Sequence, residues 1–166
     1  DISERIDTEQ QLEERTLNLT SLFNSITQIL IIVDFDGVIL HANKQAYSKL
    51  NYSGRGLISR SVFDLYAAEH LSEMKIVFER VKQSLSGLST TPLLTRERVP
   101  IPVETTVTLG EWSSRQVFFM LANDETERLK IVDNLRISRA NLKSLIQNSP
   151  ESVALFDLDL RLVTFN

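Results

Sequence analysis

The sequence predicts an α+β fold: a five-stranded antiparallel sheet with helices on one face, flanked by a coiled-coil-like helix at each end. Three observations carry this. Strand-length apolar runs come in two groups, at residues 28–42 and 92–122. Between them lies one amphipathic helix, with Leu71, Met74, Val77, Phe78, Val81 and Leu85 on one face. The chain also repeats its opening near its end. LTSLFNSITQILIIVDFDGVILHAN from Leu19 aligns without a gap with LKSLIQNSPESVALFDLDLRLVTFN from Leu142, an offset of 142 − 19 = 123 residues. Leu19, Ser21, Leu22, Asp34, Asp36 and Asn43 recur as Leu142, Ser144, Leu145, Asp157, Asp159 and Asn166. A period this long is a domain length.

The first two dozen residues lack Gly and Pro and are rich in Glu, Gln, Arg and Leu, which predicts a helix over 1–24. Leu12, Leu19 and Ile26 fall seven apart with Leu22 between them, the seam of a helix that packs lengthwise on a partner. Gln28–Val33, apolar from Ile29 onward without a break, reads as a central strand covered on both faces. Asp34-Phe-Asp-Gly37 turns the chain, and Val38–Ala42 returns. Asn43 stands at a helix N-cap position before Lys44–Leu50. Residues 51–66 suit short helical turns, and Gly87 marks the end of the amphipathic helix.

Pro92–Thr95 reads as the third strand, placed at an edge by its proline. Ile101, Val103, Thr105, Val107 and Leu109 alternate with polar residues and Pro102, a half-buried strand. Gly110–Arg115 reads as a turn and Val117–Ala122 as the fifth strand. From Glu125 helix formers return up to Gln147, with Ile131, Leu135, Leu142 and Leu145 at seam positions. Asn148-Ser-Pro150 breaks that helix before the second copy.

Composition narrows the function. With 166 residues, 42% apolar content and a formal charge of −4, the chain can bury a proper core and shows no basic footprint for nucleic acid. It has no cysteine, which excludes disulfides, thiolate metal sites and cysteine-linked chromophores. Apolar runs such as Ile29–Val33 and Val117–Ala122 are far too short to cross a bilayer, and no metal-binding cluster is visible. The first residue is Asp rather than Met, and the second copy stops at Asn166. The expectation is therefore a cytoplasmic piece of a longer tandem protein, one whose membrane anchor, if present, would lie upstream.

One motif suggests an enzyme. Asp34-x-Asp36-Gly37 after an apolar strand is how haloacid-dehalogenase-like phosphatases open, with a nucleophilic Asp, an acid/base Asp and Mg²⁺. That chemistry needs a parallel strand, with Lys and further carboxylates from later strands. No α/β alternation follows here, and the second copy has Leu160 where the glycine should be. Polar residues closing a hairpin are the better reading, and no catalytic residue is expected in this segment.

The order of elements and its signposts resemble the PAS domain of bacterial signalling proteins over residues 20–126. Ile31-Ile-Val-Asp-Phe-Asp-Gly-Val-Ile39 with Asn43-Lys-Gln-Ala46 resembles that family's first hairpin and following helix. Leu50-Asn-Tyr-Ser53, Ser61-Val-Phe-Asp-Leu65 and Arg96–Glu104 resemble its middle segments. Asp124-Glu-Thr126 stands where the family has Asp-Ile/Val-Thr at the root of an exit helix. The departures are Asn51 and Ser59 where Gly is common, Arg98 for a turn Gly, and Glu125 for an apolar residue.

The resemblance implies an N-terminal dimerisation helix (1–24), a PAS domain (25–126), a signalling helix (127–147) and the truncated start of a second PAS domain (148–166). It implies a non-catalytic sensor or relay, self-associating as a parallel homodimer through its flanking helices. Further PAS and output domains of the same chain would be its partners, the output a histidine kinase or a cyclic-dinucleotide enzyme as in two-component and related signalling. Asp124 and Thr126 would cap the exit helix and couple it to the sheet. Some members hold haem through a histidine, and His70 is the candidate ligand, though a lone His at a helix start is ordinarily a solvated residue. His41 reads as structural. Without cysteine no cofactor is expected to be covalently bound; a non-covalent small ligand of unknown identity fits the family.

Overall fold

The computed structural model describes residues 2–148 and 154–165. It divides into two units, residues 1–125 and residues 126–166.

In the first unit, helix α1 (Ile2–Ser25) leads into strands β1 (Ile29–Val33) and β2 (Ile39–Ala42) and the short helix α2 (Lys44–Lys49). Two 3₁₀ turns, Val62–Leu65 and Ala68–His70, precede helix α3 (Leu71–Ser84). Strands β3 (Ser86–Ser89), β4 (Leu93–Leu94), β5 (Pro100–Ile101), β6 (Val103–Trp112) and β7 (Arg115–Asp124) follow. Five strands form one antiparallel sheet in the order β2-β1-β7-β6-β3, so β7 is its centre. β1 is buried along its whole length, as its unbroken Ile/Leu/Val sequence requires. Ile29, Ile31 and Val33 pack in the main core with Phe118 and Met120 of β7 and with Met74, Phe78 and Val81 of α3. Leu30 and Ile32 are buried as well, on the opposite face. There the end of α1 meets the sheet, Phe23 lying 6.4 Å from Trp112 between ring centroids. Helices therefore reach both faces of the sheet, not one.

The third strand of the sheet is Ser86–Ser89, paired with Thr105–Thr108, and not the expected Pro92–Thr95. From that stretch only Leu93 and Leu94 are strand, in a separate two-residue ladder with Pro100 and Ile101. Pro92 has no N–H to offer a ladder, and the chain has already left the sheet at Thr90. Gly87 does not end α3. The helix stops at Leu85, which takes a left-handed φ of 66°. Gly87 lies within β3 because a Cβ there would stand 2.9 Å from Val81 Cγ2 and 3.3 Å from Val77 Cγ1. The strand can lie against its own helix only without a side chain. The turn expected over Gly110–Arg115 is tighter than that. β6 runs through Gly110 to Trp112, and only Ser113 and Ser114, both at positive φ, connect it to Arg115.

In the second unit, helix α4 (Thr126–Gln147) precedes a hairpin of β8 (Ala154–Phe156) and β9 (Leu162–Phe165). The break expected at Ser149-Pro150 and the recurring Asn166 lie outside the described residues. The hairpin reproduces the first one in detail. Ala154↔Phe165, Leu155↔Thr164 and Phe156↔Leu162 repeat Ile31↔Ala42, Ile32↔His41 and Val33↔Ile39, with the irregularity at the same step. Asp157 Oδ1 accepts from the amides of Asp159 and Arg161 at 3.0 and 2.8 Å. Asp34 Oδ1 accepts from Asp36 and Val38 at the same two distances.

Candidate functional site

The candidate site residues lie between the sheet and the helices over it, and at the end of β7. Asn43 holds the entrance of the domain together. It is fully buried at the start of α2. Its Oδ1 accepts from the amides of Ala46 and Leu30, each at 3.0 Å. Its Nδ2 donates to the carbonyls of Ile26 and Gln28 at 3.2 and 2.9 Å. Its own amide donates to Leu30 O at 3.0 Å. One side chain thus caps a helix, extends the β1 ladder and fixes the segment that joins α1 to β1.

The sheet's inner face carries an unusual polar group. Tyr66, Ser89, Thr91 and Thr105 are buried among apolar side chains. The Tyr66 hydroxyl donates to Met120 Sδ at 3.6 Å, and Ser89 Oγ lies 3.4 Å from Met74 Sδ and 2.9 Å from Thr91 Oγ1. Thioether sulfur is a weak acceptor. Burial pushes the Tyr66 phenol well above its ordinary value. Thr105 Oγ1 has no hydrogen-bond partner.

At the edge of this core, the β1–β2 turn and α3 enclose a cleft of about 290 Å³. Four phenylalanines build it. Phe35 stacks on Phe118 at 5.0 Å, Phe78 meets Phe118 edge-on at 5.1 Å, and Phe63 meets Phe78 at 5.5 Å. Lys75 Nζ stands 5.9 Å above the Phe63 ring and Lys82 Nζ 5.5 Å above Phe35. Lys82 is also paired to Glu79 at 2.6 Å.

Asp124 ends β7, and Thr126 begins α4 with only Glu125 between them. The Asp124 carboxylate accepts from Lys49 Nζ at 2.7 Å, which ties the last residue of α2 to the last residue of the central strand. The Glu125 amide donates to Pro102 O at 2.9 Å. His70 precedes α3 at the surface, its ring nitrogens 3.6 and 3.8 Å from the carboxylates of Glu69 and Glu73. The exposed His41 ring lies 5.3 Å from Trp112 on the opposite face of the sheet.

Asp34 and Asp36 do not form the phosphatase pair. β1 is antiparallel to both its neighbours, and Asp34 Oδ1 is occupied by the two turn amides. Among the described residues, no three His, Asp or Glu side chains stand together as a metal site, and no helix is long and apolar enough to cross a membrane.

Sequence reasoning missed Lys49 and the phenylalanine cleft. Lys49 meets an acid 75 residues away, and the four rings come from four separate segments. No local spacing announces either.

Comparison with known proteins gives a consistent result. The family model described as "PAS fold" matches residues 17–124. The PAS domain of an HTR-like protein from Haloarcula marismortui superposes with a TM-score of 0.62 at 19% identity, over 71% of this chain and 98% of its own. A PAS domain from a two-component sensor histidine kinase gives a TM-score of 0.58 at 16% identity, over 68% and 97% respectively. In sequence, the chain is 19% identical over 145 residues to the methyl sulfide methyltransferase-associated sensor of Methanosarcina acetivorans. That match covers 87% of this chain but only 14% of the relative's length.

Proposed function

The chain belongs to the PAS fold family, and from that premise we propose that it is a sensory and signal-relay module, not a catalyst, within a multidomain signalling protein. One observation carries the relay. The central strand β7 lines the core with Phe118 and Met120 and passes, through Glu125 alone, into α4. A displacement of the core's lining is therefore delivered to the root of a long helix, a recognised geometry for switching. Asp124 and Thr126 are the joint. The names of similar proteins, a sensor and a sensor histidine kinase, favour a kinase output, with a cyclic-dinucleotide enzyme as the other candidate. The repeated hairpin geometry supports reading residues 148–166 as the opening of a second domain of the same type. The cytoplasm is the compartment that fits this reading.

The joint is tested by replacing its two side chains. Asp124→Ala with Thr126→Ala removes the side chains proposed as capping acceptors, at about 0.5–2 kcal/mol per cap, and an exposed ion pair with Lys49 worth about 0.2–1 kcal/mol. That is small against a domain stability of roughly 5–15 kcal/mol, yet comparable to an allosteric coupling of about 1–3 kcal/mol. Amides of Glu125–Leu129 should exchange faster with solvent deuterium, while those of Val117–Leu121 keep their protection. Equal loosening of both segments would mean that strand and joint open as one unit and that no separable relay exists.

The module is proposed to act as a parallel homodimer through α1. Leu12, Leu19 and Leu22 are each about two-thirds exposed on the single chain, at 66%, 64% and 66%. Removing residues 1–20 should lower the sedimentation coefficient toward that of a monomer. An unchanged dimer would assign the contact to another surface.

A further inference from the structure

We infer that the phenylalanine cleft between the β1–β2 turn and α3 is a binding site for a small aromatic carboxylate. The inference deepens the sensory reading above, on which it rests in taking occupancy of this cleft as the module's input.

Size is the first argument. At about 290 Å³ the cleft lies at the lower end of ligand pockets, which suits one ring with a short tail and not a multi-ring cofactor. The walls are the second. Phe78 meets both Phe63 and Phe118 edge-on, so a flat ring entering beside them finds both a face and an edge to pack against. Phe35 is the movable wall. It sits on an exposed turn, 41% exposed itself, and stacks on Phe118 at the bottom of the cleft. A ligand ring that takes its place recovers the same stacking.

Charge decides the tail. Lys82 is neutralised by Glu79 at 2.6 Å. Lys75, two helical turns before Lys82, stands over Phe63 with no carboxylate within ion-pair distance among the described residues. The rim therefore carries one uncompensated cation directly beside an aromatic floor. A carboxylate would complete it, a neutral group would leave it as it is, and an ammonium would be repelled. Phe118 also supplies the link to the output, since it belongs to β7, the strand that ends at Asp124.

The test is an amide-resolved NMR titration of the whole chain with three probes of one shape: phenylacetate, phenylacetamide and phenethylammonium. Phenylacetate should shift Phe35–Gly37 and Lys75–Lys82 saturably, with a Kd of about 0.1–1 mM for so few atoms. Phenylacetamide should bind about five- to tenfold more weakly, and phenethylammonium not measurably, as expected when a charge-assisted contact is lost. Lys75→Ala, a change at an exposed helix position, should erase the difference between acid and amide. Phe35→Ala should weaken all ring binding. The inference is overturned if the shifts fail to saturate, if they map elsewhere, or if acid and amide bind equally to the unmodified protein. Deuterium exchange at Glu125–Leu129, measured with and without saturating phenylacetate, separates the two readings. Binding with unchanged exchange keeps the site and counts against the relay.

Discussion

Asn43→Ala is expected to lower the stability of the PAS domain by about 3–5 kcal/mol, a large part of the roughly 5–15 kcal/mol typical of a domain. The loss is chiefly one of hydrogen bonding. The amides of Leu30 and Ala46 lose their acceptor, and the carbonyls of Ile26 and Gln28 lose their donor. Leu30 is buried in the sheet, so its amide cannot turn to water instead. Urea unfolding should show a lower midpoint with an unchanged slope.

Asn43→Asp separates the two halves of the amide. A carboxylate keeps the acceptor toward Leu30 and Ala46 but sets an oxygen against the two carbonyls. Only the protonated acid can donate there, so folding raises the pKa of this group. Its stability contribution is therefore present below about pH 4 and is lost as pH rises from there. A variant whose stability deficit did not grow between acid and neutral pH would show that the Nδ2 bonds contribute little.

What could be read from the sequence was what neighbouring residues decide. The apolar run at Ile29–Val33, the α3 face from Leu71 to Val81 and Asn43 ahead of α2 are local signals, and the elements stand where they put them. The third strand is not legible locally because Ser86-Gly-Leu-Ser89 has neither the composition nor the length of a strand; it is one only because β6 supplies a ladder beside it. The three positions where the family prefers glycine were informative in a way composition alone would hide. Asn51, Ser59 and Arg98 all keep a left-handed φ, of 58°, 65° and 65°. The backbone path is retained and each side chain tolerates it at a cost of about 1 kcal/mol or less for Asn and more for the others. The candidate site was less legible, because Lys49 with Asp124, and Phe35 with Phe118, are made neighbours only by the folded sheet.

Gly37→Ala should destabilise the domain by about 2–4 kcal/mol, far more than a surface turn substitution normally does. Two effects add. The residue has φ +86°, a conformation that costs an L-residue roughly 1–2 kcal/mol. The new Cβ would also stand 2.8 Å from Phe63 Cε2 and 3.2 Å from Cδ2. Neither neighbour can withdraw freely. Gly37 is held by its amide to Asp34 O at 3.1 Å and by its carbonyl, which accepts from Val62 N at 2.7 Å. Phe63 is wedged against Phe78. The equivalent position in the second hairpin makes the control. Leu160 has φ +60° and is 83% exposed, so its side chain meets solvent instead of a ring. Leu160→Gly should relieve backbone strain alone and slow amide exchange in the β8–β9 turn. If Gly37→Ala cost no more than the backbone term, Phe63 would have to be free to move aside. The wall it forms in the cleft would then be soft, and the ring-sized site argued from it would lose its shape.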